Sequence, residues 1–182
     1  MKAILISIKP KWVAKILNGE KTIEIRKTMP KCDLPIDVYI YCTKDNKGYL
    51  TEYLSKETNK HLFYSYDLGK LDGLNGKVVA KFTLNKVEWT ARKHLPFACI
   101  NEQEYRNYVK DGIGYAWHIS NLEIFDEPKE LYKFYKYGVD EWAKKHAGIG
   151  IGYLEFWNGI DDFRLTKAPQ SWCYIKDLIY EN

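Results

Sequence analysis

The chain has little of what would assign it at once to several common classes. Only 4 of its 182 residues are cysteine, at positions 32, 42, 99 and 173, with no CxxC pair and no histidine beside them, so neither a zinc centre nor a disulfide scaffold is expected. No apolar leader opens the chain and no uninterrupted apolar run is long enough to cross a bilayer. The cysteines are therefore expected to be reduced thiols of a cytoplasmic protein without membrane contact. Strong charge of one sign is also missing, since a net +4 is too mild to declare a nucleic-acid binder alone. Internal repeats, low-complexity tracts and a βαβ alternation are absent too, and with them the case for a solenoid or a doubly wound sheet.

What is present in excess is aromatic. Fifteen tyrosines and six tryptophans exceed the needs of one core of this size, so some rings are expected at a surface or cleft, where they can stack on bases. Half-buried tyrosines along sheet faces explain many of them equally well. The charge is unevenly spread: residues 1–31 hold eight Lys/Arg against two acids, a net of +6, whereas 32–118 come to +1 and 119–182 to −3.

That basic excess surrounds one octet, Gly19 to Arg26. Upstream, Pro10 suits a first helical position and Trp12, Val13, Ile16 and Leu17 recur at helical spacing, so Gly19 reads as the left-handed residue that ends a helix over 10–18. From Thr22 the period becomes two. Ile23 and Ile25 face one side of a strand and Thr22, Glu24 and Arg26 the other, with Lys21 at the joint. A solvated face with a weak Glu-Arg pair is the ordinary reading of such charges. A lysine pinned after a helix-ending glycine, however, can be oriented or tuned by the neighbouring carboxylate and guanidinium.

Along the rest of the chain, Ala3–Ile8 is apolar on both faces, as in a strand covered on both sides. A loop is expected over 27–35 and a third strand over 37–43. Residues 44–76 are polar and glycine-bearing, a surface excursion with one helix near 49–58 and a lone surface histidine at His61. The longest strand is expected over 77–90, bending near Asn85, followed by a helix over 102–111 and a strand over 115–125 holding a half-buried His118. Pro128 is expected to open a helix with Leu131, Phe134 and Tyr135 on one face, and 140–147 to continue as helix. Gly148–Gly152 then leads into Tyr153, Phe156 and Trp157, read as an aromatic-tipped loop rather than a phosphate cradle, which would open a helix with a lysine. Residues 171–175 form a closing strand. About six strands with short peripheral helices make a mixed β-rich α+β chain, a small barrel, and its length makes one domain over 1–182 the default.

Two motifs carry a resemblance to a known family. Gly19, Lys21, Glu24 and Arg26, preceded by Leu5–Pro10, resemble the opening motif of ASCH domains, relatives of the PUA fold, and Ala168-Pro169-Gln170-Ser171-Trp172 is similar to their closing Pro-Gln-Ser-aromatic motif. Tyr115–Ile119 and Asp126–Lys129 fit the same pattern. The resemblance spans roughly residues 3–176, with apparent insertions near 44–75 and 138–165. It implies a PUA-like barrel and a basic cleft between the two motifs, binding RNA or a nucleotide and needing no cofactor or metal. Lys9, Lys11, Lys21, Arg26 and Lys27 would meet phosphate or sugar oxygens, Gln170 and Ser171 a base edge, and Trp172 or Trp12 would stack.

Some ASCH relatives resemble amidohydrolases that deacylate a modified cytidine with a lysine, a threonine and a glutamate. Lys21 matches that lysine, but Glu24 stands in place of the threonine. The glutamate would fall near Phe97–Cys99, which holds no acid, with Glu102 and Glu104 just beyond. If the chain is a hydrolase, Lys21 and Glu24 are its candidate catalytic residues. A protein-interaction role through exposed Tyr153, Phe156 and Trp157 is the third expectation.

Overall fold

A computed structural model describes residues 1–45, 48–58, 74–110, 112–147 and 152–177, so the expectations for His61 and for Gly148–Ile151 lie outside the described residues. Strand β1 (Lys2–Ile8) is apolar on both faces because both faces are covered. Ile4, Ile6 and Ile8 enter one core with Val13 and Ile16 of helix α1 (Pro10–Leu17), while Ala3 and Leu5 enter a second core with Tyr39, Phe125 and Phe134. β1 pairs in parallel with β3 (Ile36–Cys42) and antiparallel with β6 (Trp172–Lys176).

The sheet is completed by β2 (Ile23–Arg26), β4 (Lys77–Trp89) and β5 (Tyr115–Glu130), in the order β2-β5-β4-β3-β1-β6. Six strands thus curl into a half-barrel with short helices around it, the mixed β-rich α+β architecture expected from the sequence. β2 and β6 are its free edges. Where the edges approach, the Arg26 guanidinium reaches across the open seam and donates from Nη2 to the Ser7 carbonyl at 2.8 Å. The segment before β6 is tied to the same strand, since the Ser7 hydroxyl donates to the Pro169 carbonyl at 2.7 Å and the Ser7 amide to the Ser171 carbonyl at 2.9 Å.

β4 bends as anticipated, its pairing with β5 slipping register between Leu84 and Val87, on either side of Asn85. Two expectations fail. Pro128 opens no helix, because β5 continues through it to Glu130 and only a 3-10 turn follows at Leu131–Lys133. The β4–β5 ladder slips again between Val78 and Ala80, and there a residue without an N–H is tolerated. Nor is the aromatic run after Gly152 a loop. It begins a helix, α5 (Tyr153–Asp161), whose first turn is closed by Glu155 accepting from the Gly152 amide at 3.3 Å. That helix packs on α4 (Val139–His146) through Phe156 and Trp142, with Tyr153 and Leu154 77% and 74% exposed. In the 44–76 excursion the helical part is short: α2 (Leu50–Tyr53) and a turn at 56–58.

Candidate functional site

The octet folds as a helix stop followed by a strand, and its charged side chains are buried. Gly19 takes a left-handed φ of +76°, ending α1, and the Lys21 amide turns back to the Lys15 carbonyl at 2.9 Å. β2 then runs as an edge strand with both faces covered. Lys21, Glu24 and Arg26, for which a solvated face is the ordinary reading, are only 4%, 7% and 7% exposed. They form a linear charge triad, with Lys21 Nζ 3.2 Å from Glu24 Oε2 and Arg26 Nε 3.0 Å from Glu24 Oε1. Lys21 Nζ also donates to the Ala98 carbonyl at 2.8 Å.

The triad lines a cleft of about 820 Å³ at the half-barrel seam. The opposite wall holds Pro169 and Gln170, the rim Lys9 and Lys44, and aromatic surface comes from Trp12 and Tyr108. The Lys21 ammonium lies 5.3 Å from the Trp12 ring centroid, a cation–π distance. Burial pushes the Tyr108 phenol above its ordinary pKa, partly opposed by the nearby Arg26 charge. Burial does the same for Tyr41, on the inner side of the cleft.

The candidate residues divide into two groups. Lys9, Lys21, Glu24, Arg26 and Gln170 share the cleft. Ser171 adjoins it, its hydroxyl 3.4 Å from Arg26 Nη1. Lys11, Lys27 and Trp172 do not line it. The Lys11 ammonium lies 5.1 Å from the Trp12 ring centroid, and the Lys27 ammonium 5.1 Å from that of Tyr108. The Trp172 side chain is half-buried beside the cleft rather than in its lining. Its indole N–H donates to the Thr28 hydroxyl at 3.0 Å and its ring meets buried Trp117 edge-on.

A third wall was missed in the sequence. Helix α3 (Glu102–Val109), capped by Asn101 accepting from the Glu104 amide at 2.8 Å, brings Glu104, Asn107 and Tyr108 to the cleft. Their i, i+3, i+4 spacing puts them on one helical face, and that polar-aromatic stripe was the legible signal. At 97–99, which holds no acid, the group that meets Lys21 is a backbone oxygen, the Ala98 carbonyl.

Comparison with known proteins places this geometry among similar folds. The sequence model of the ASCH domain matches residues 6–129, from within β1 to near the end of β5. The crystal structure of an ASCH protein from Zymomonas mobilis is similar at a TM-score of 0.54 and 17% identity, covering 96% of this chain and 88% of that one. A tyrosine-to-phenylalanine mutant of that protein matches at 0.54 and 17%, over 97% and 92%. A serine-to-alanine mutant matches at 0.54 and 16%, over 96% and 89%. No curated protein sequence matches the chain.

Proposed function

The chain belongs to the ASCH domain family, and on that premise we propose that it binds RNA or a nucleotide in the seam cleft. The observation that carries the reading is the buried Lys21–Glu24–Arg26 triad at the cleft. Two cations share one carboxylate there, leaving net positive charge where water is scarce, and such a surface attracts a phosphate more strongly than an exposed lysine does. Lys9, the residue before α1, and Trp12 in its first turn also line the cleft, so the helix brings its positive end to the same place. Trp12 and Tyr108 supply rings for stacking, and Asn107 and Gln170 supply amides that can both donate to and accept from a base edge.

The amidohydrolase reading gains less support. Lys21 Nζ spends its hydrogens on Ala98 and its charge on Glu24, whereas a general base must turn a free lone pair to substrate. Of the two acids just beyond 97–99, Glu104 lines the cleft, and it is engaged by the Asn101 amide at 2.8 Å as a helix cap.

Fluorescence anisotropy with a labelled single-stranded RNA, competed by mononucleotides, tests the proposal. Lys9→Ala and Tyr108→Ala both change exposed cleft residues outside the core and should fold normally. Each is expected to weaken binding about tenfold, the order of one stacking contact or charged contact. Wild-type affinity in the double variant would remove the cleft as the binding site.

A further inference from the structure

A second pocket, of about 590 Å³, lies on the other side of β2 and has no part in the reading above. Glu88 from the end of β4, His94 from the 3-10 turn at Arg92–His94 and His118 from β5 converge in it. Their placement follows from the bulge in β4. The register slip between Leu84 and Val87 pairs Glu88 with Ala116 and sets its side chain beside His118. Glu88 Oε1 lies 2.8 Å from His118 Nε2 and 3.2 Å from His94 Nε2, and one ligand atom from each residue falls within 4.8 Å of the others.

His94 is buried, and its Nε2 has no hydrogen-bond partner among the described residues despite pointing at this carboxylate. A buried imidazole nitrogen 3.2 Å from a carboxylate without hydrogen-bond geometry, and with a second imidazole on the same oxygen, is a cluster that a cation between the three groups would satisfy better.

We propose that Glu88, His94 and His118 bind one divalent transition-metal ion, of the Zn²⁺ class. Two imidazoles and one carboxylate suit Zn²⁺, Co²⁺ or Ni²⁺ rather than Mg²⁺ or Ca²⁺, which prefer all-oxygen shells. Three protein ligands facing an open pocket leave a fourth position for water or a ligand. Lys86, whose Nζ sits 2.8 Å from Glu88 Oε1, is more than half exposed, so it can swing away from the carboxylate. The His94 Nδ1 accepts from the Ala91 amide at 3.0 Å. Metal on Nε2 moves the ring proton to Nδ1 and breaks that bond. The Ala91 amide and the new Nδ1–H then face each other as two donors, a cost to be set against three metal–ligand bonds.

The full chain, purified without a polyhistidine tag and stripped with chelator, is titrated with ZnCl₂ by calorimetry and with CoCl₂ by visible absorption. One equivalent of Zn²⁺ per chain is expected, with a Co²⁺ d–d band and no uptake of Mg²⁺. His118→Asn and Glu88→Gln, at positions that are only half-buried and outside the core, should each weaken Zn²⁺ binding by about 100-fold or more while the far-ultraviolet dichroism stays native. Absence of stoichiometric uptake by the wild type overturns the proposal. So does uptake that persists in both variants, which would assign the ion to the cysteines or to scattered surface groups.

Discussion

Glu24 is the residue on which the candidate site depends, because it is the single carboxylate between two buried cations. Removing one member of a buried charge set strands the others, at a cost of about 3–5 kcal/mol. Glu24→Gln is therefore expected to lower the unfolding free energy by about that much in urea titrations. Lys21→Met leaves the Ala98 carbonyl and Glu24 Oε2 without Lys21 but keeps the Glu24–Arg26 pair, so the carboxylate retains one cation and the cost should be nearer 1–3 kcal/mol. Equal midpoints for the two variants would mean that Glu24 is no more central to the triad than Lys21. The alternation of the octet already placed Glu24 and Arg26 on one strand face. It did not show that this face is covered, since the covering groups, the Ala98 carbonyl and the Pro169–Gln170 segment, lie some 75 and 145 residues on. Glu88, His94 and His118 were less legible still, because their approach depends on a β-bulge that fixes register only in three dimensions.

At the scale of elements, the chain signalled strands and caps well and its aromatic helix badly. The two-sided apolar run of β1, the helix stop at Gly19 and the bend at Asn85 each follow from local chemistry, and each appears where it was expected. α5 was misread because glycines precede it and Gly159 lies inside it, both of which weaken a helical pattern. Gly159 has a packing reason to be there. A Cβ built on it would lie 2.0 Å from the Trp142 ring of α4, so the α4–α5 contact requires the missing side chain. Gly159→Ala should gain helix propensity yet lose that contact, with a net local cost of about 1–3 kcal/mol from overpacking. Hydrogen exchange should rise in α4 and α5 and stay unchanged in β1 and β3. Slower exchange across both helices would show that Trp142 has room to move and that the close approach is not a constraint.

The whole molecule is a sheet that curls without closing, and its candidate site occupies the opening. In the described residues Arg26 spans that opening with three contacts at once: the Ser7 carbonyl of β1, the Ser171 hydroxyl ahead of β6, and Glu24 on its own strand. A guanidinium can do this because its donors are spread over a planar fork, whereas a lysine ammonium is a single point on a flexible stem. Arg26→Lys therefore keeps the charge of the cleft and loses the brace. If the brace matters, exchange of the Ser171–Lys176 amides should speed up and RNA affinity should fall, although net charge is unchanged. If charge alone matters, affinity and its salt dependence should both stay at wild-type values. A phosphate contact contributes a slope of about −0.7 per phosphate to log K against log salt for a single strand. Loss of affinity in Arg26→Lys with that slope preserved would separate the geometry of the seam from its electrostatics, and would make closure of the half-barrel a determinant of binding rather than a by-product of folding.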